Sequence, residues 1–171
     1  KEFSDNKILE HKKLDYISYP YEWSFEQLKS AAIHHLDLHL NLLKNNAKLI
    51  DASAYNIQFR NNKPIFLDVL SISRYEEGEY WYAHKQFCEN FLNPLILSSK
   101  KGIKFNNWFR GNLEGIQTDE LLPLLSFFDL LSPTLFFHVF MMNRFEEKSK
   151  KNPNKINSKI KTIKKLPKKS Y

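Results

Sequence analysis

The sequence predicts an α+β domain, mainly helical, with a small β-hairpin. Three observations lead there. From Ser24 to Asn45 apolar residues recur in steps of three and four, at Phe25, Leu28, Ala32, Leu36, Leu40 and Leu43. That is the period of a helix with one buried face. Two short apolar runs, Ile57-Gln58-Phe59 and Ile65-Phe66-Leu67, flank Asn61-Asn62, the pattern of paired strands around a turn. From residue 80 onward the apolar spacing is helical again.

In chain order, residues 8–19 read as a strand or extended lead-in closing on Pro20. Ser24 is the expected N-cap of the long helix, with Gln27 at the capping-box position. Asn45-Asn46 stops that helix, and a loop and hairpin fill 49–70. Residues 75–79, with Gly78, form a turn. A helix is expected over about 80–92, interrupted by Asn93-Pro94 before a further short helical piece at 95–97. Residues 99–117 read as a loop, followed by helices at 118–128 and, after Ser132, at 133–147.

At 171 residues the chain suits one domain with its own core, and 14 Phe and 8 Tyr supply large side chains to fill it. The net charge of +7 is unevenly placed. Ten of the 26 Lys and Arg lie in 148–171, which has no Asp or Glu, so residues 1–147 carry about −3. The organisation expected is a domain over 1–147 and a Lys-rich disordered tail or linker over 148–171. That tail lacks Arg and carries no aromatic residue before Tyr171, so specific nucleic-acid binding is not expected. The apolar stretch 121–142 contains Pro123, Asp129, Pro133 and His138, which suit two core helices better than a membrane span. The single Cys88 forms no internal disulfide and reads as a buried thiol. With no signal-peptide pattern visible, the expectation is a cytoplasmic protein without a transmembrane segment. None of the four glycines forms a G-x-G-x-x-G or P-loop pattern.

The chemistry concentrates in Asp51, Asn56 and Asp68. Four residues separate Asp51 from Asn56, and Asp68 ends the second strand of the hairpin. Phosphoryl transfer of the kinase type needs one Asp to orient a hydroxyl and accept its proton, then an Asn and a second Asp to hold Mg2+ against nucleotide phosphates. Asp51 is the catalytic candidate; Asn56 and Asp68 are the metal candidates. The plainer alternative makes Asp51 a turn cap, Asn56 a strand start and Asp68 a strand end. His35 and His39 share a helix face but lack the Glu of an H-E-x-x-H motif, and read as hydrogen-bonded structural histidines.

A family resemblance rests on Tyr19-Pro20-Tyr21-Glu22-Trp23-Ser24, Asp51-Ala52-Ser53-Ala54-Tyr55-Asn56-Ile57-Gln58-Phe59, Pro64-Ile65-Phe66-Leu67-Asp68, Gln86-Phe87-Cys88-Glu89, Phe91-Leu92-Asn93-Pro94-Leu95 and Trp108-Phe109-Arg110-Gly111. Over about residues 10–145 these resemble the N-terminal region of bacterial class I S-adenosylmethionine-dependent methyltransferase proteins, some of them nodulation-protein-related. The same stretch is similar to the C-terminal lobe of protein-kinase-like folds, including aminoglycoside and choline kinase relatives. The resemblance implies S-adenosylmethionine as cofactor of the full-length family and a C-terminal methyltransferase domain, or an equivalent chain, as partner. If the kinase-like site is active it implies Mg2+ and ATP. Leu49 stands where the kinase-like pattern has a His, and Val69-Leu70 follow Asp68 where many kinases have a Gly. No Gly-rich loop or strand Lys is legible. The leading expectation is an accessory or substrate-positioning domain acting on a small polar substrate. The alternatives are a small-molecule phosphotransferase completed by residues outside this chain, and a non-catalytic interaction module.

Overall fold

The computed structural model describes residues 13–141 and 143–144. The Lys-rich segment 148–171, residues 8–12 of the expected lead-in and the end of the expected last helix lie outside the described residues.

Residues 13–19 run extended without joining a sheet. A reciprocal amide pair anchors them: Ser18 N donates to Gln58 Oε1 at 2.9 Å and Gln58 Nε2 donates to Ser18 O at 2.8 Å. Trp23, buried in the core, donates from Nε1 to Ser18 Oγ at 2.9 Å. Helix α1 spans Phe25–Lys44. Ser24 caps it as the sequence predicts, with the Ser24 side chain accepting from Gln27 N and Gln27 Oε1 accepting from Ser24 N. Asn46 ends it at φ +56°, a left-handed conformation that Asn tolerates better than most residues.

Four strands follow: β1 (Ala47–Leu49), β2 (Ile57–Arg60), β3 (Lys63–Phe66) and β4 (Ile72–Arg74). They form two antiparallel pairs, β2 with β3 and β1 with β4, so the outer pair brackets the inner hairpin in sequence. The hairpin register sets Arg60 opposite Lys63, leaving a two-residue loop at Asn61-Asn62. Both have positive φ, +49° and +61°, the signature of the type I′ turn whose twist matches paired strands.

The second half departs from the expected pattern. Asn93-Pro94 does not interrupt a helix. Residues 84–101 are helical throughout, as α2 (His84–Phe87), a π turn (Cys88–Leu92) and α3 (Asn93–Lys101). A proline inside a helix lacks an N–H and crowds the carbonyl four residues back. The π turn widens the helix just before Pro94, and Asn93 N–H reaches back to Cys88 O. The expected loop 99–117 contains a short helix, α4 (Asn106–Gly111). The helix that starts at Thr118 (α5, Thr118–Leu121) ends far short of 128, passing into a 3-10 turn at Leu122–Leu124 that contains Pro123. The last helical segment opens as α6 (Pro133–Leu135) and continues as a π turn, Phe136–Met141. Ser132 stands at its N-cap position without a side-chain capping bond; Pro133 at the first helical position fixes the start.

The core joins α1, the hairpin, the 84–101 helix, α4 and α5 through Trp23, Leu28, Ile57, Phe91, Leu97, Phe105, Phe109, Ile116 and Leu121. Burying a Phe such as Phe91 or Phe109, neither of which is exposed, contributes about 2–3 kcal/mol. No helix among the described residues is long and apolar enough to cross a membrane.

Candidate functional site

The end of β1 and the loop after it are held at five backbone polar groups by side chains from elsewhere. Leu49 N donates to His39 Nδ1 at 3.2 Å, and Trp81 Nε1 donates to Leu49 O at 2.9 Å. His35 Nε2 lies 3.3 Å from Asp51 O. Ala52 N donates to Gln86 Oε1 at 2.8 Å, and Ala54 N donates to Asn90 Oδ1 at 3.0 Å. His35 and His39 come from α1, Gln86 and Asn90 from the facing 84–92 helix. Each pair is spaced i, i+4, which sets both side chains on one helix face.

These bonds fix the histidine tautomers. A carbonyl only accepts, so His35 carries its proton on Nε2; His39 accepts at Nδ1, so its proton is on Nε2. Both imidazoles are neutral. Burial, only partly opposed by the bond to Asp51 O, holds His35 at about 4. Burial also brings His39 down to about 4. His35 sits among Phe66, Trp81, Phe87 and Phe91, while His39 stacks on Trp81 with ring centres 4.3 Å apart. These are buried structural histidines. The sequence shows their spacing but not their purpose, because their partners Leu49 and Asp51 lie beyond the end of their helix.

On this clamped loop the structure joins Asp51, Asn56 and Asp68 in one closed circuit of hydrogen bonds. Asp51 Oδ1 accepts from Ser53 N at 2.8 Å, and Ser53 O accepts from Asn56 N at 3.2 Å. Asn56 O accepts from Leu67 N at 2.8 Å, just beyond the last hairpin pair, Ile57 with Phe66. Asp68 follows directly. Its O accepts from Ser71 N and Ser71 Oγ, and Ser71 O accepts from Ile50 N at 2.9 Å, which returns the circuit to Asp51.

The backbone of all three residues is therefore tied near the open end of the hairpin, and each side chain keeps capacity in reserve. Asp51 and Asp68 each commit one carboxylate oxygen, Oδ1, to a nearby backbone N–H, at 2.8 Å and 3.1 Å. The second oxygen of each is available as a hard acceptor for a cation or a hydroxyl. The Asn56 Nδ2 atom is buried without a hydrogen-bond partner in the protein. Turning that amide presents its oxygen at the same place. An amide and two carboxylates are the oxygen donors that a magnesium-type cation takes. Sequence reasoning missed Gln86, Asn90 and Trp81 as the residues that set the loop.

A cleft of about 570 Å³ lies elsewhere, between Trp23, Phe25 and the 98–106 segment, and none of the three candidate residues lines it.

No family model matches the chain, and no solved structure matches it. The chain is similar to the nodulation protein NoeA of Rhizobium meliloti (strain 1021), 43% identical over 165 residues that cover 96% of this chain. It spans about a third of that protein's length, 34%.

Proposed function

We propose that this chain is a kinase-like accessory domain that positions a small polar substrate within a larger methyltransferase-family protein. In this reading Asp51, Asn56 and Asp68 bind a cation or polar ligand. The observation that carries it is the closed hydrogen-bonded circuit joining the three residues, on a loop clamped from two helices. A binding site works when its supporting residues hold it before the ligand arrives. The succession of long helix, outer strand, Asp51 loop, hairpin, Asp68 and returning outer strand also supports a likeness to a kinase C-terminal lobe. Methyl transfer, with S-adenosylmethionine as donor, belongs in this reading to a C-terminal domain or an equivalent chain.

The second reading is phosphoryl transfer completed by residues outside this chain, favoured by the four residues that separate Asp51 from Asn56 ahead of Asp68. Asn56 and Asp68 would hold Mg2+, which supplies charge neutralisation for nucleotide phosphates. Asp51 would orient the acceptor hydroxyl and take its proton.

Calorimetric titration separates the readings. Mg2+ alone should bind the chain, and Asp68→Asn should weaken it by about tenfold or more, since that change removes the charge but keeps the cap on Leu70 N. The melting temperature should stay unchanged. Heat only with Mg2+ and ATP together favours phosphoryl transfer. Equal Mg2+ affinity in the parent chain and Asp68→Asn counts against the site in either reading.

A further inference from the structure

The 84–92 helix carries a second group of chemically active side chains. Gln86 and Asn90 serve the clamped loop. His84 and Cys88, offset from them by two residues and so by about 200° around the helix, meet His138 from the last helical segment. His84 Nε2 lies 3.2 Å from His138 Nδ1, and Cys88 Sγ lies 3.8 Å from His84 Nε2. The ligand atoms of all three residues fall within 4.8 Å of one another.

We propose that His84, Cys88 and His138 form a binding site for a borderline-soft metal ion of the Zn2+ class, with a fourth position open to water or an exogenous ligand. Two imidazoles and a thiolate are the donors such ions prefer over Mg2+ or Ca2+. The spacing fits. With Zn–N near 2.0–2.1 Å and Zn–S near 2.3 Å, tetrahedral coordination sets two nitrogens about 3.3 Å apart and a nitrogen and sulfur about 3.6 Å apart. The observed 3.2 Å and 3.8 Å lie near these edges, Cys88 Sγ also stands 4.0 Å from His84 Nδ1, and the remaining edge falls within 4.8 Å, so side-chain rotation closes the set around an ion. Two independent features of the backbone coincide with the site. Cys88 opens one π turn, Cys88–Leu92, and His138 sits inside the other, Phe136–Met141. Single π turns collect at functional positions because the extra residue re-aims side chains.

Binding requires the Cys88 thiolate and an unprotonated nitrogen on each ring. The sulfur–metal bond forms as the thiol proton leaves to solvent. The hydrogen bond between the two rings shows that one of these nitrogens now carries a proton. That ring changes tautomer, passing the proton to its other nitrogen, so the net release is one proton per metal. The ion would tie α2 to the last helical segment, adding to the hydrogen bond and ring contact between His84 and His138.

This site shares no ligand with Asp51, Asn56 or Asp68 and does not depend on the reading proposed for them. The test is Co2+ titration of the full chain followed by absorption spectroscopy, with Zn2+ as competitor. The expected result is a visible spectrum of tetrahedral Co2+ with a near-ultraviolet thiolate-to-cobalt charge-transfer band, bleached by one equivalent of Zn2+. Cys88→Ser should abolish the charge-transfer band. His138→Gln should weaken Co2+ by on the order of tenfold or more, and His34→Gln should change nothing. Calorimetry of Zn2+ binding in buffers of different ionisation enthalpy should report one proton released. A parent-chain spectrum without the thiolate band overturns the proposal even if a variant fails to fold, and so does equal Co2+ affinity in folded Cys88→Ser.

Discussion

At the scale of single residues, the fold depends on histidines that must stay uncharged. His35 has no exposed surface and His39 is 6% exposed. Both are held at about 4 against an ordinary 6.5. The unfolded chain therefore binds protons that the folded chain refuses. Stability is fully present above about pH 6.5 and drains away as pH falls from there toward 4. A drop of this size corresponds to about 3 kcal/mol per histidine once pH is below both values. The urea midpoint should thus fall steeply between about pH 7 and 4. In His35→Phe the pH dependence should shrink, because one of the proton-refusing histidines is gone while His39 and His84 remain. A midpoint that stays flat across this range would mean that the rings reach water. Here the i, i+4 spacing was legible in the sequence; the reason for it was not. A sequence shows that two rings share a face, but not that Leu49 N and Asp51 O return to meet them.

At the scale of elements, the informative feature is the π turn before Pro94. Opening the helix there releases the carbonyl of Glu89, which accepts from Ile116 N at 3.0 Å. Two further side chains of the same helix hold the incoming segment. Asn90 Nδ2 donates to Glu114 O at 3.0 Å, and Asn93 Nδ2 donates to Ile116 O at 2.9 Å. The chain must therefore pass against the helix at residue 115, where a Cβ would stand 2.2 Å from Glu89 O and φ is +86°. Only glycine satisfies both conditions. Gly115→Ala should cost about 3 kcal/mol or more, since backbone strain and overlap with a backbone oxygen add. Gly102→Ala, with a similar φ of +66° but open space around it, should cost only about 1 kcal/mol. Thermal melts of the two variants check the difference; equal losses would show that conformation alone matters at residue 115. This contact explains why sequence reading broke the helix at Asn93-Pro94. A proline carries the signal of a stop, whereas the segment that captures the displaced carbonyl is more than twenty residues away.

At the scale of the molecule, the parts legible in advance were those built from neighbours in sequence. The capped helix after Ser24, the Asn61-Asn62 turn and the order of Asp51, Asn56 and Asp68 all follow from local spacing. The His84, Cys88 and His138 group was not legible, because it spans 54 residues between His84 and His138 and local spacing shows only its first two members. The apolar stretch 121–142 was read as two core helices, yet much of its apolar surface faces outward. Phe127 is 75% exposed, Phe128 79% and Leu131 63%, while Leu121, Leu135 and Val139 are buried. Ion pairing fixes this segment where apolar burial does not: Lys101 Nζ meets Asp129 Oδ2 at 2.6 Å. That bond, with further bonds from Ser126, holds the Asp129 carboxyl well below the usual carboxylate range. Side chains this exposed leave little surface to lose on unfolding. The double substitution Phe127→Ser with Phe128→Ser should therefore shift stability by no more than about 0.5 kcal/mol. It should also lower any concentration-dependent association, because adjacent exposed aromatic rings are sticky in water. Sedimentation velocity and a thermal melt of the same sample read both quantities. A large loss of melting temperature would show that these rings pack against the protein.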